Sequence, residues 1–281
     1  MKKLPDKISL LGIDITNATE KEILEYLLES LRKLKESYYI VTPNPEIIVY
    51  ASKRPHFQTI LHQARLALPD GIGVILAGLF LGQPFQERIT GADFMEKICQ
   101  RVATSNIAGE EKPIAIGFLG GRRGVAQKTA ECLMRRYPGL NVVFAAGEWD
   151  QEGFIQETKI LRYKDTKILR EKIERTKKSS PNILVSQYPS IDILFVAFGF
   201  PKQEEWMAEH MGKIPVRIMM GVGGAFDYIS GSVSRAPFFI RLFGFEWLYR
   251  LIREPWRIIR QLSLLSFIVL TIKEFINLKR R

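Results

Sequence analysis

Asp70 lies between Pro69 and Gly71 in the stretch ALPDGIGV (67–74), where one apolar run ends and another begins. A carboxylate held on a tight turn can take a proton from an attacking hydroxyl. Pro-Asp-Gly is also ordinary turn chemistry, since Pro fixes φ and Gly accepts positive φ, and these residues alone allow both readings. Three glycine-bearing loops follow apolar strand-like runs. In FLGGRRG (118–124), Gly120 and Gly121 would let backbone N–H groups approach a phosphate at a helix N-terminus, or simply allow close packing. In AFGFPKQEEW (197–206), Pro201 at the first helical position puts Lys202, Gln203 and Glu204 in a first turn that can grip a sugar or base. A solvated helix start is the alternative. In GVGGAFDYISGSVSRAP (221–237), Gly223, Gly224, Asp227 and Arg235 suit a phosphate or ribose, or a loop of several turns. Three such loops at successive strand ends point to a phosphate-bearing ligand.

No Asp in the chain has another Asp two positions away, so the Asp-x-Asp device for holding a divalent metal is missing. His56, His62 and His210 do not cluster at metal-ligand spacing, and we assign no metal and no cofactor. A departing diphosphate would then need Arg, Lys or helix dipoles. Arg88, in ERITGADF just before a helix start, is the candidate, with a surface salt bridge as its alternative. The glycine loops alone would also fit a soluble nucleotide-dependent oxidoreductase, but no G-x-G-x-x-G with a paired ribose-binding acid is present. Charge alone would fit a non-enzymatic nucleic-acid or membrane-binding module, which leaves Asp70 and the loops without a task.

The elements that must position these residues alternate between strand and helix patterns over 281 residues, the signature of a mainly parallel α/β sheet. KISLLGIDI (7–15) reads as a strand, and Thr19 with Glu22 as a capping box for a helix to about Lys35. YYIVT (38–42) is a strand, followed by helices from Pro45 and Pro55, and the run Ile72–Leu81 reads as a buried helix. Thr90 or Asp93 opens the next helix, and the polar stretch SNIAGEEKP (105–113) is the expected boundary between halves at about 1–108 and 112–234. A charged helix at about 154–178, in a longer and more basic connection up to 190, reads as an insertion. The fold class is thus α/β, with Rossmann-like layers in two halves forming a body over 1–234 and an appendage over 235–281. Cys99 and Cys132 lack metal spacing and fit a reducing compartment, and the N-terminus is a poor secretory signal, so we expect a cytoplasmic protein.

The formal net charge is +11, and residues 235–281 carry ten Lys/Arg against three Glu. In that segment Trp247, Leu248, Leu251 and Ile252 share a helical face among Arg250, Arg253, Arg257 and Arg260, and Pro255 interrupts the helix. The uncharged run from Gln261 to Ile272 covers about 18 Å of helix, too little for about 30 Å of hydrocarbon. A basic amphipathic segment with aromatic anchors suits a membrane interface, and packing on the body or another subunit is the alternative.

Taken together, TPNPE (42–46), LPDGIGV (68–74), RITGADF (88–94), FLGG (118–121), FGFPKQE (198–204), GVGGAFD (221–227), RAP (235–237) and GFEWLYRLIREPWR (244–257) resemble the WecG/TagA/CpsF family of bacterial glycosyltransferases. The resemblance implies inverting transfer of N-acetylmannosamine or a related sugar from a UDP-sugar to a polyprenyl-diphosphate-linked acceptor at the cytoplasmic membrane face. It implies that Asp70 is the catalytic base and that Thr42 and Asn44 line the same pocket. It also puts Arg88 near the diphosphate, Gln203 on the opposite wall, and Arg250, Arg253 and Arg257 in a membrane-proximal appendage. The expected partners are the donor, the lipid-linked acceptor and an anionic membrane surface, with no nucleic acid; a homo-oligomer is left open.

Overall fold

The computed structural model describes residues 3–34, 36–108, 113–122, 124–147, 190–253 and 258–280, with backbone only at 238, 242, 250 and 258–261. The expected insertion, helix 154–178 included, lies outside the described residues.

A six-stranded sheet, parallel at every pairing, runs in the order β4-β3-β8-β7-β5-β6. Its strands are β3 (Tyr38–Val41), β4 (Leu66–Ala67), β5 (Ala115–Gly120), β6 (Asn141–Ala146), β7 (Ile191–Ala197) and β8 (Val216–Gly221). Strands β3 and β4 come from the first half of the chain and β5 to β8 from the second, so the halves meet where β3 pairs with β8. Strand alternation sends Tyr38 and Ile40 to one face and Tyr39 and Val41 to the other. The first face is covered by α1 (Glu20–Lys33), α5 (Gly91–Ala108), α6 (Val125–Arg136) and the short α8 (Ala225–Ile229), through residues such as Leu27, Phe94, Leu133 and Phe226. The second is covered by α2 (Pro45–Ala51), α3 (Pro55–Gln63), α4 (Ile72–Phe80) and α7 (Lys202–His210), through Ile48, Phe57, Val74 and Met207. With both faces buried, the strands read as mainly apolar runs, interrupted by Asp192 in β7 and Arg217 in β8. The capping box is present: the Glu22 N–H donates to Thr19 Oγ1, and the Thr19 N–H donates to Glu22 Oε2 at 2.8 Å.

Local readings change at four places. The stretch 7–15 is a hairpin, β1 (Lys7–Leu10) paired antiparallel with β2 (Ile13–Thr16) in its own two-stranded sheet. Leu11 and Gly12 both have positive φ, the backbone of a two-residue hairpin turn, and apolar residues on both arms hide that break. Helix α5 continues to Ala108, so the start of the expected polar loop is helical. Pro201 precedes the first helical residue of α7, Lys202, instead of occupying that position. Helix α4 is buried on one side only: Val74, Ala77 and Gly78 face the core, while Leu76, Leu79 and Phe80 are exposed at 56, 63 and 50%. Composition cannot separate a buried helix from one with an apolar outer face.

Beyond the sheet come α9 (Phe238–Leu242), α10 (Glu246–Arg253) and α11 (Ile258–Lys279), which flank the expected break at Pro255. Helix α11 packs on α2 and α4, burying Phe267 and Thr271, and leaves a second apolar side exposed. Among the described residues, no helix is long and apolar enough to cross a membrane.

Candidate active site

The sheet brings the C-terminal ends of its strands to one edge, and the Asp70 turn follows β4 there. The Asp70 N–H donates to the Pro43 carbonyl and the Ile89 N–H to that of Pro69, both near 3 Å, so the turn is tied to the segment after β3 and to the one leading into α5. Gly71 has φ +91°, which lets the chain leave Asp70 and enter α4 within one residue. Gly73 lies so close to the Pro45 ring, with Leu264 and Phe267 of α11 beyond, that a Cβ there would meet Pro45 Cγ at 2.8 Å.

The Gly91 N–H, at the start of α5, donates to Asp70 Oδ2 at 3.4 Å. Thr42, buried at the end of β3, sits against Gly91 and donates through Oγ1 to the Gly221 carbonyl of β8 at 3.4 Å. Gly221 is covered by Gln203, whose Oε1 accepts from the Gly223 N–H at 3.0 Å and whose Nε2 donates to Glu204 Oε1 at 2.8 Å. Asp70, Gly91, Thr42, Gly221, Gln203 and Gly223 therefore form one continuous chain of contacts from the turn after β4, through the start of α5, to the ends of β3 and β8. Asn44 joins this edge as the N-cap of α2, its Oδ1 accepting from the Ile47 N–H at 3.0 Å.

Burial pushes the Asp70 carboxyl up to about 7; the Gly91 N–H opposes the rise, Glu246 and Asp93 add to it, and Arg88 opposes it. A carboxyl poised there accepts a proton readily near neutral pH. Glu204, fully buried, is also pushed up to about 7 by burial, against its hydrogen bond from Gln203. A helix first turn suggests a ligand-gripping or solvated Glu204, and its burial against Gln203 comes only from tertiary packing. Here Glu204 fixes which way the Gln203 amide points.

A second cluster latches the C-terminal segment beside Asp70. Arg235 pairs with Asp93 at 2.7 Å and with Glu246 at 3.4 Å, and Arg241 reaches Asp93 at 3.4 Å. Thr90 Oγ1 donates to Asp93 Oδ2 at 2.6 Å. Burial would raise the Asp93 pKa, but the hydrogen bonds from Arg235 and Thr90 outweigh it and hold it below its ordinary value. Arg88 Nη2 donates to the Arg241 carbonyl at 2.8 Å, and Gly244 packs on Ile72 and Arg88. Arg88 thus stands between Asp70 and the C-terminal segment rather than in a surface salt bridge. Asp93, Arg241 and Glu246 carry this latch; only the Thr90–Asp93 capping spacing hinted at any of them.

The other expected residues lie elsewhere. Gly120 ends β5 and Gly121 follows it, four strands from β4, about 19 Å at the usual strand spacing. A Cβ on Gly120 would meet the Ala197 backbone at 2.8 Å, and the Gly121 N–H donates to the Ala197 carbonyl, so this loop packs tightly on β7. Lys202 is exposed, and Asp227 lies on α8 beyond Gly224. Arg235 also faces the Tyr228 ring, at 5.6 Å. Arg253 is exposed over the Tyr249 ring at 5.5 Å. The Arg250 backbone is in α10, and Arg257 lies outside the described residues. Among the described residues, no group of three or more His, Cys, Asp or Glu could hold a metal ion.

The profile of the glycosyl transferase WecG/TagA/CpsF family matches residues 8–281. Similar proteins include an N-acetylglucosaminyldiphosphoundecaprenol N-acetyl-beta-D-mannosaminyltransferase of Bacillus spizizenii, 30% identical over 93% of this chain and 89% of that protein. A protein of the same name in Staphylococcus aureus is 31% identical over 93% of this chain and 90% of its own length.

Proposed function

As this chain belongs to the WecG/TagA/CpsF family of glycosyl transferases, we propose that it transfers N-acetylmannosamine, or a related hexosamine, from a UDP-sugar to a polyprenyl-diphosphate-linked N-acetylglucosamine, inverting the anomeric centre. The acceptor follows the names of the two similar transferases. The observation that carries the mechanism is Asp70: one carboxyl, lifted to about 7, on a turn tied to β3 and α5 at the sheet edge where ligands of open α/β sheets bind. As the acceptor hydroxyl oxygen attacks the anomeric carbon, Asp70 takes its proton. The bond from that carbon to the donor's phosphate oxygen breaks, and the electron pair leaves with UDP.

Charge on the departing diphosphate is met by Arg88 and the arginines of α10, without a divalent metal; the missing Asp-x-Asp supports this division of labour. Thr42 and Gln203 hold the β8 glycine loop, Gly223 through its own N–H, and Gly224 offers its backbone N–H to the donor. Asn44, Lys202 and Asp227 line the approach for sugar and nucleotide, with Gly120 and Gly121 at its far side. Residues 1–234 act as the catalytic body and 235–281 as an appendage that attaches peripherally to the inner face of the cell membrane. Exposed Phe239, Phe243, Trp247 and Ile252, interspersed with arginines, support that attachment. Incubation with a panel of UDP-sugars and a short-chain lipid-diphosphate N-acetylglucosamine, read by mass spectrometry, tests the assignment. A single hexosamine added from one donor is the expected product, and no product from any donor overturns it.

A further inference from the structure

The apolar outer side of α4 belongs to the body, and its position relative to α11 shows what could cover it. The two helices run side by side in the same sense. Gly73 faces Leu264 and Phe267, and further along Phe80 meets the Phe275 ring at 4.6 Å. Leu76, Leu79 and Phe80 are thereby continuous with the exposed Ile272 and Ile276 of α11, and Leu265 extends the surface towards the start of that helix. From Leu265 to Ile276 this stripe is about 16 Å long. Lys273, Lys279 and Arg280 flank it, all exposed, against the half-buried Glu274. Lys279 Nζ lies 4.8 Å from the Phe275 ring, so cation and apolar surface adjoin.

We propose that α4 and α11 together form one face that sits in an anionic lipid leaflet, with α4 as the body's own membrane contact. A second copy presents the same face, with three exposed cations and one half-buried Glu274, and so offers few anions to Lys273, Lys279 and Arg280, whereas anionic headgroups pair with all three. Helix α4 begins two residues after Asp70, so the carboxyl lies within about 14 Å of hydrocarbon. On the reading above, on which this step rests, a sugar carried on a lipid diphosphate reaches the base without leaving the interface.

The test uses the full chain and vesicles of phosphatidylglycerol with phosphatidylcholine. L76N/L79N changes two exposed side chains outside the catalytic machinery and should weaken vesicle partition about tenfold to a hundredfold, given the apolar area involved. Transfer to a long-chain acceptor embedded in the same vesicles should fall in parallel, while transfer to a short-chain soluble acceptor stays unchanged. Leu79→Trp, which keeps an interfacial apolar side chain, should hold partition at or above the wild-type level. Unchanged partition of L76N/L79N overturns the proposal, as does equal loss on both acceptors, which would assign the leucines to folding. A change in solution mass with intact vesicle binding also overturns it, in favour of a second copy of the chain. Absence of transfer by the wild type to either acceptor would overturn the functional reading, and vesicle partition would still decide the membrane face.

Discussion

Replacing Asp70 by Asn should slow the enzyme and stabilise the fold, because one carboxyl acts on both in opposite directions. Burial first, then Glu246 and Asp93, lift its pKa from 3.8 to about 7 over the opposition of Gly91 and Arg88. Between about pH 4 and about pH 7 the folded chain therefore keeps a proton that the unfolded chain has released. The folded state binds more protons, so the free energy of unfolding falls as pH rises through that window, and the loss is complete above about pH 7. A shift of roughly three units at about 1.4 kcal/mol each sets a ceiling of about 4 kcal/mol. Asp70 is partly open to solvent, which brings the expected cost to about 1–3 kcal/mol. Asn does not ionise, so D70N should match wild type near pH 4 and exceed it by that amount at about pH 8. Its turnover should fall about 10²–10⁴-fold. The wild-type rate should climb about tenfold per pH unit below about 7 and level off above it, since the base works only when deprotonated. Denaturant melts across the pH range and initial rates on a short-chain acceptor measure both effects. Near-normal turnover in D70N, or a stability difference that does not grow with pH, would refute the assignment.

Arg88→Ala should slow transfer and loosen the C-terminal segment, because the same guanidinium lies near Asp70 and holds the Arg241 carbonyl. Wild-type activity should persist in EDTA, and strict dependence on Mg²⁺ or Mn²⁺ in initial-rate assays would move leaving-group stabilisation to a metal. Glu204→Gln should stay folded and gain stability above about pH 7 in melts, by the same sign argument as Asp70, while Glu204→Leu should raise the KM for the donor by freeing Gln203 from its amide partner. Truncation after Ser234 should abolish salt-sensitive vesicle binding and transfer to lipid acceptors, and a truncated protein that kept both would make the segment merely structural.

Much of the scaffold is legible because the physics is local. The Thr19–Glu22 box, the prolines opening α2 and α3, and the mainly apolar runs of β5, β7 and β8 each announce their element. The turn at Asp70 is legible as a turn, but its carboxyl's environment is not. That environment depends on Gly91 and Glu246, which reach it only through tertiary packing. Arg235 shows another limit of local reading. Its type and loop suggest a phosphate ligand, yet Asp93 and Glu246, 142 positions before it and 11 after it, hold its guanidinium. The outer side of α4 was hidden for a third reason, since uniformly apolar sequence does not reveal which side the core takes.

The pairing of Arg235 and Arg241 with Asp93 changes how the C-terminal segment is best understood. These two cations fasten the segment to the N-terminal turn of α5, next to the Asp70 turn. Gly244 then rests on Ile72 and Arg88, and Phe267 reaches Gly73. The segment therefore grips α4 at its first turn from two directions, at the residues that follow Asp70. Its Glu246 also raises the pKa of the Asp70 carboxyl, so docking of the segment changes that group's proton affinity. Whatever shifts the segment, a lipid surface included, must act on Asp70 through both the packing of α4 and the charge of Glu246. On the proposed reading, membrane attachment and proton transfer are coupled through one short helix and one acidic side chain.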